Sequence, residues 1–212
     1  SKVITVKNSY FLHNSGKTGG GGVYIKNCQS VHMNQTQFLF NSARKSGSGM
    51  FVSKGTVLSV VHSHFQQNSG PGMFVDKAIK VSIDYSLFHQ NLGKKGGGAY
   101  LFDATRVTIY NSTYILNAAR EKGGALTVTN KDNLRNINIF FVNCLFMKNE
   151  SPVGGAAHIE KSSKIHILNC SFVNNLASET GAGIYVEKTS ALTIARSNFH
   201  QNSGKMGGVA YI

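Results

Sequence analysis

The sequence predicts an all-β fold: a right-handed, single-stranded parallel β-helix of about eight coils with three strands per coil. Three observations predict it. An aromatic-x-x-Asn tetrapeptide recurs along the whole chain, at Phe11/Asn14, Phe38/Asn41, Phe65/Asn68, Phe88/Asn91, Tyr114/Asn117, Phe146/Asn149, Phe172/Asn175 and Phe199/Asn202. Successive aromatic positions lie 27, 27, 23, 26, 32, 26 and 27 residues apart. Two apolar columns precede each copy, and a glycine-rich step follows it.

The first strand of each repeat is marked seven and five residues before the aromatic. The outer column runs Ile4, Val31, Leu58, Val81, Val107, Ile139, Ile165 and Leu192; the inner one runs Val6, Met33, Val60, Ile83, Ile109, Phe141, Ile167 and Ile194. A spacing of two puts both columns on one face of a strand. A small residue stands two before the aromatic: Ser9, Thr36, Ser63, Ser86, Ser112, Cys144, Cys170 and Ser197. The second strand carries the aromatic inward, where rings stacked from coil to coil bury area and hold register. The Asn tolerates left-handed backbone, and its amide can bond the coils above and below. After a polar turn come GGGV, GSGM, GPGM, GGAY, GGAL, GGAA, GAGI and GGVA, then a third strand marked by Ile25, Val52, Val75, Phe102, Val128, Ile159 and Val186. The 23-residue interval reads as a shortened turn around Pro71, the 32-residue one as an insertion around Asn130 to Asn138. No segment carries helical periodicity for the ten or more residues a helix needs. Left-handed hexapeptide coils are shorter, and leucine-rich repeats need a different signature. Residues 1–212 therefore read as one β-helix domain, with coils about 4.8 Å apart.

Composition narrows the function classes. Charged residues are 15% of the chain, below the roughly 25% of an ordinary globular protein, while 41% is hydrophobic with 13 Phe and 8 Tyr. Such a chain can bury a core, which excludes disorder. The 23 glycines lack a three-residue period, which excludes collagen. No apolar stretch is long enough for a membrane span, and the opening SKVITV reads as strand rather than leader. The formal net charge is +13, from 22 basic and 9 acidic residues. A field of that sign favours polyanions.

The paired GGA[I/L/V] and FxxN motifs resemble the repeats of the chlamydial polymorphic outer-membrane proteins. They are also similar to secreted or surface β-helix proteins of sponges and cnidarians, within the wider pectate-lyase-like superfamily. The resemblance covers all eight coils. It implies a secreted, extracellular location and a rod used for adhesion or construction, including a glassin-like matrix protein of sponge biosilica. The strong positive charge departs from the bacterial relatives.

The candidate polyanion-binding residues fall into two sets. After the ladder Asn come Lys17, Arg44, Lys45, Lys94, Lys95, Arg120, Lys122 and Lys205; after the third strand come Lys26, Lys54, Lys77, Lys161 and Lys188. Repetition is expected to turn each set into a rib of cations. Exposed turns and lysine-blunted edges are the plain alternative. Asp76, Asp103, Glu160 and Glu187 each follow the third-strand apolar column and are expected to face outward. With Arg106, Asp76 and Asp103 could serve a lyase or glycosidase; lysine-paired surface charges are the favoured reading. Cys144 and Cys170 are expected as stacked core thiols rather than a disulfide, and Cys28 as a lone turn cysteine, free or intermolecular. The eight histidines scatter without a repeating ligand set, so neither metal nor cofactor is expected. Of the sequons at Asn34, Asn111, Asn149 and Asn169, Asn149 should face inward. Nucleic acid is not an expected partner, since the aromatics belong to the core.

The expected function is a non-catalytic extracellular scaffold, a cationic rod that binds a polyanionic mineral such as silica, or an acidic glycan. Copies of itself or other matrix proteins are expected partners in a filament or lattice, because Ile4 and Val6 at one end and Tyr211–Ile212 at the other leave core columns uncapped. The alternatives are a polysaccharide lyase or glycosidase, and a surface adhesin.

Overall fold

The computed structural model describes residues 2–44, 46–131 and 136–212. The described regular structure is all β, and its strands pair in parallel with the coil before and the coil after. The eight-stranded sheet carries the ladder. Phe11, Phe38, Phe65, Phe88, Tyr114, Phe146, Phe172 and Phe199 stand in register, with ring centroids 4.6–5.0 Å apart and nearly parallel planes. The predicted parallel solenoid is the observed fold.

The eleven-stranded sheet merges two predicted strands into one. The third strand of a coil runs on into the first strand of the next, as in the 12-residue strands Met50–Val61, Met73–Asp84, Ala99–Tyr110, Ala157–Leu168 and Ile184–Ala195. Each bends at one left-handed residue: Lys54, Lys77, Asp103, Lys161 or Lys188. A single left-handed residue kinks a strand as a bulge does, without ending the ladder. The turn after the Asn also differs from expectation, because it forms a further short strand in several coils. Leu92–Lys95, Ala118–Lys122, Glu150–Val153, Leu176–Thr180 and Ser203–Met206 make a five-stranded sheet, and Ser15–Gly16 with Ser42–Ala43 a two-stranded one.

The Asn column and the small-residue column satisfy their buried polar groups, largely between coils. Asn41 donates its backbone amide to the Asn68 side-chain oxygen at 3.0 Å and its side-chain amide to the Phe11 carbonyl at 2.8 Å. The same arrangement repeats through Asn175. In the small-residue column, Ser63 accepts from the Thr36 amide and donates to the Val61 carbonyl. Buried amides left unpaired would each cost about 1–3 kcal/mol, so the ladder stabilises the stack as well as setting its pitch. Gly96 sits at φ +58, where a Cβ would run into the Ala99 carbonyl, so only glycine fits this corner.

The register corrects one expected column. Val75 pairs with Leu101, not Phe102; Leu101 is fully buried, while Phe102 stands outward and half-buried beside Asp76. Cys28, on the turn between Lys26 and Ser30, is free; it lies against the core, 5% exposed, and its thiol donates to the Lys26 carbonyl.

Candidate functional site: the cationic turns

The two expected ribs resolve into clusters. Of the turn set, Lys17, Arg44, Lys94, Arg120 and Lys205 are exposed, Lys95 and Lys122 half-buried, and Lys45 lies outside the described residues. Lys95 pairs in register with Lys122, but the same file continues as Val153, Thr180 and Met206. The cause is loop content: Pro71, Pro152 and Glu179 occupy turns where neighbouring coils carry cations. Several cations are also spoken for within the molecule. Lys94 and Lys95 lie 3.1 and 3.9 Å from Glu121, and Lys122 lies 3.7 Å from Glu160. Arg44 and Arg120 have no carboxylate partner among the described residues.

The corner set is corrected at one member. Lys26 pairs with Ser53, one position before the left-handed corner, so it does not share a file with Lys54. Lys54 and Lys77 occupy that corner on adjacent coils, as do Lys161 and Lys188, with Asp103 and Asn130 between the two pairs. Lys161 lies 3.7 Å from Glu160 and Lys188 lies 3.3 Å from Glu187. Lys188 beside Glu187 holds that carboxyl below its usual range.

The expected carboxylate column is half present. Glu160 and Glu187 stand in register on adjacent coils, each with a lysine one residue on. Asp76 and Asp103 do not, because the one-residue slip at Leu101 moves Asp103 onto the corner. There it is buried, accepts the Lys131 backbone amide at 2.9 Å and lies 3.7 Å from the Lys131 ammonium. Asp76 instead accepts from the Ser53 hydroxyl at 2.9 Å. Arg106 stands in register with Lys80 and Asn138, in another file, and pairs with neither aspartate among the described residues. The three groups proposed for acid–base work are not brought together.

Two features were not anticipated. One is a second aromatic file on the outer wall. Tyr24, Phe51, Phe74 and Tyr100 follow one another at 4.7–5.3 Å, and His158, Tyr185 and Tyr211 continue the file beyond Thr127. These residues follow the first core residue of each third strand, so the column was there to be read. The other is the pairing of histidines with rings one coil away: His13 with Phe40, His62 with Tyr85, His158 with Tyr185 and His166 with Phe140. His158 is fully buried with Glu160 at 3.7 Å, beyond hydrogen-bond reach, and neither ring nitrogen has a hydrogen-bond partner. Burial, and then the Lys122 charge, push its pKa down to about 4.

The turn face also holds a notch of about 490 Å³ where the third coil is short. Arg44, Lys94 and Arg120 line it together with Ser69, Gly70, Pro71 and Gly93. Among the described residues, no group of three or more His, Cys, Asp and Glu is placed to hold a metal ion. Nor is any helix there long and apolar enough to cross a membrane.

A family model described as the right-handed β-helix region matches residues 1–199. No curated protein and no solved structure matches the chain. Parallel coils, an inward aromatic ladder and a match over most of its length agree: the chain belongs to the right-handed β-helix family.

Proposed function

We propose that the chain is a non-catalytic extracellular scaffold whose cationic turns hold an acidic glycan. The observation that carries this reading is the set of exposed cations without carboxylate partners among the described residues: Lys17, Arg44, Arg120 and Lys205 on the turns, Lys54 and Lys77 on the corner. A stack of coils holds them on a rigid frame, so little ordering cost remains when a polymer binds. The non-catalytic part is supported by the separation of Asp76, Asp103 and Arg106, and by the lysines that cap Glu160 and Glu187. An acidic glycan fits better than silica. A flat mineral favours an even array, whereas the corner lysines are interrupted by Asp103 and Asn130. A flexible anionic chain can reach separate clusters.

The test is retention of the full chain on an immobilised sulfated glycosaminoglycan, with silica beads in parallel. Retention should be strong near about 0.05 M salt and lost by about 0.5 M, because exposed charges are screened within roughly a Debye length. No retention at low salt, or retention indifferent to salt, would overturn the reading. Glycan cleavage that disappeared in Asp103→Asn would overturn its non-catalytic half.

A further inference from the structure

The third coil breaks the turn face. Between Asn68 and Gly72 it has only Ser69, Gly70 and Pro71, whereas the next coil spends Leu92 to Gly97 on the same step. The consequence shows in the sheet. Ser42–Ala43 pairs on one side, with Ser15–Gly16, and Leu92–Lys95 pairs on one side, with Ala118–Lys122. Two strand edges therefore border one gap, and nothing in the third coil is long enough to join them. The Ala43 amide already donates to the Ser48 hydroxyl at 3.1 Å and the Leu92 amide to the Asn68 carbonyl at 3.1 Å, so a ligand in the gap would be held by side chains.

Charge converges on the same place. Arg44 arrives from the second coil, Lys94 from the fourth and Arg120 from the fifth, against one carboxylate, Glu121, among the described lining residues. Glu121 is engaged by Lys94 at 3.1 Å, which leaves the two guanidinium groups as the unpaired charges of the notch. A guanidinium fork suits the planar or tetrahedral oxygens of a carboxylate or sulfate. The serine hydroxyls of Ser46 and Ser69 add neutral hydrogen-bonding groups. The volume, about 490 Å³, falls in the roughly 300–1,000 Å³ range of small-ligand sites.

We propose that this notch is a subsite for one anionic sugar residue, a uronate or a sulfated hexose, with Arg44 and Arg120 binding its acid group. The proposal rests on the glycan-binding reading above and gives it one defined anchor. It separates the notch from the corner lysines, which contribute charge to a long polymer but form no enclosed site.

The experiment is calorimetric titration of the full chain with a sulfated glycosaminoglycan hexasaccharide. Arg44→Ala combined with Arg120→Ala should weaken binding at least tenfold. Ser69→Trp, which fills the notch without changing net charge, should weaken it comparably. Lys80→Ala with Lys164→Ala, an equal loss of charge at exposed residues outside the proposed binding set, should change it less than threefold. Circular dichroism melting of each variant separates binding loss from misfolding. An unaffected, folded Ser69→Trp variant, or an equal loss in the Lys80→Ala/Lys164→Ala variant, would overturn the subsite. So would an extended acidic peptide that displaces the hexasaccharide at lower concentration. If the wild-type chain still binds the long polymer while the notch variants bind the hexasaccharide normally, the subsite fails and the scaffold reading stands. If the wild-type chain binds neither, both fail.

Discussion

The side-chain oxygen of Asn117 accepts two hydrogen bonds from Asn91 one coil away, from its backbone amide at 3.1 Å and its side-chain amide at 3.0 Å. Asn117 in turn donates to the Phe88 carbonyl at 2.9 Å and to the Asn149 side-chain oxygen at 3.1 Å. All of this is buried, so water cannot replace a missing partner.

Asn117→Ala should therefore cost more than a surface asparagine would. It strands two donors of Asn91 and removes a donor from the Phe88 carbonyl, and each stranded group costs about 1–3 kcal/mol. The expected loss is at least about 3 kcal/mol. Urea denaturation followed by circular dichroism measures it; a loss below about 1 kcal/mol would contradict the ladder's role.

Tyr114 is the single tyrosine in the inward ladder, fully buried, and its hydroxyl has no hydrogen-bond partner. Burial, and then the nearby Cys144, hold its pKa well above the usual value. Seven other coils place phenylalanine at this position. Tyr114→Phe removes an unsatisfied polar group without changing the ring stack, so it should stabilise the protein by about 1 kcal/mol. A clear drop in melting temperature would show that the hydroxyl has a partner in solution.

The inward architecture was legible because each coil repeats the same chemistry at the same place. Phe88 and Tyr114 need no structure to be aligned, since each stands three residues before an Asn and five residues after a core Ile, at the spacing every other coil repeats. The third strand of the fourth coil was less legible. Leu101 and Phe102 are adjacent and both apolar, so hydrophobicity alone does not say which one faces the core. The slip carried Asp103 with it, and a surface acid became a buried corner residue bonded to Lys131. The cation files misled for a different reason. Turn lengths vary around Pro71 and after Asn130, and lysine side chains reach across coils, so Lys94 and Lys95 meet Glu121 in a way no spacing discloses. Histidines that look solitary along the chain, such as His62, gain an aromatic neighbour only once the register is known.

Cys144 and Cys170 occupy the hydroxyl column as thiols. The Cys144 amide donates to the Cys170 sulfur at 3.4 Å, as the Ser63 amide donates to the Ser86 hydroxyl oxygen on the next coil. Both are free and buried, as is Cys28. The Cys170 thiol, together with burial, raises the pKa of Cys144, which suppresses its thiolate. Because all three sulfurs are buried, the native protein should react with a thiol reagent very slowly, and all three cysteines should react at once on unfolding. Rapid reaction of two or more thiols in the native state would contradict this packing. Replacing Cys144 and Cys170 together with serine should leave a folded protein, since Ser86 and Ser112 already serve in that column.

The buried His158 makes stability depend on pH. Its ring is stacked on Tyr185 at 4.8 Å, with Lys122, Glu160 and Glu187 as the charged groups around it. Burial and Lys122 outweigh the pull of the two carboxylates and bring its folded pKa to about 4. In the unfolded chain a histidine titrates near 6.5. Between these values the unfolded state binds a proton that the folded state refuses, so stability must fall as pH drops from about 6.5 towards 4. The full effect is on the order of 3 kcal/mol, all of it present above the unfolded pKa. His158→Phe tests the assignment, because Phe51 and Phe74 occupy the same outer file in other coils. The variant should lose most of the stability difference between pH 7 and pH 4.5 that the wild-type chain shows in urea denaturation. An unchanged pH dependence would move the effect to another group and leave His158 as a packing residue alone.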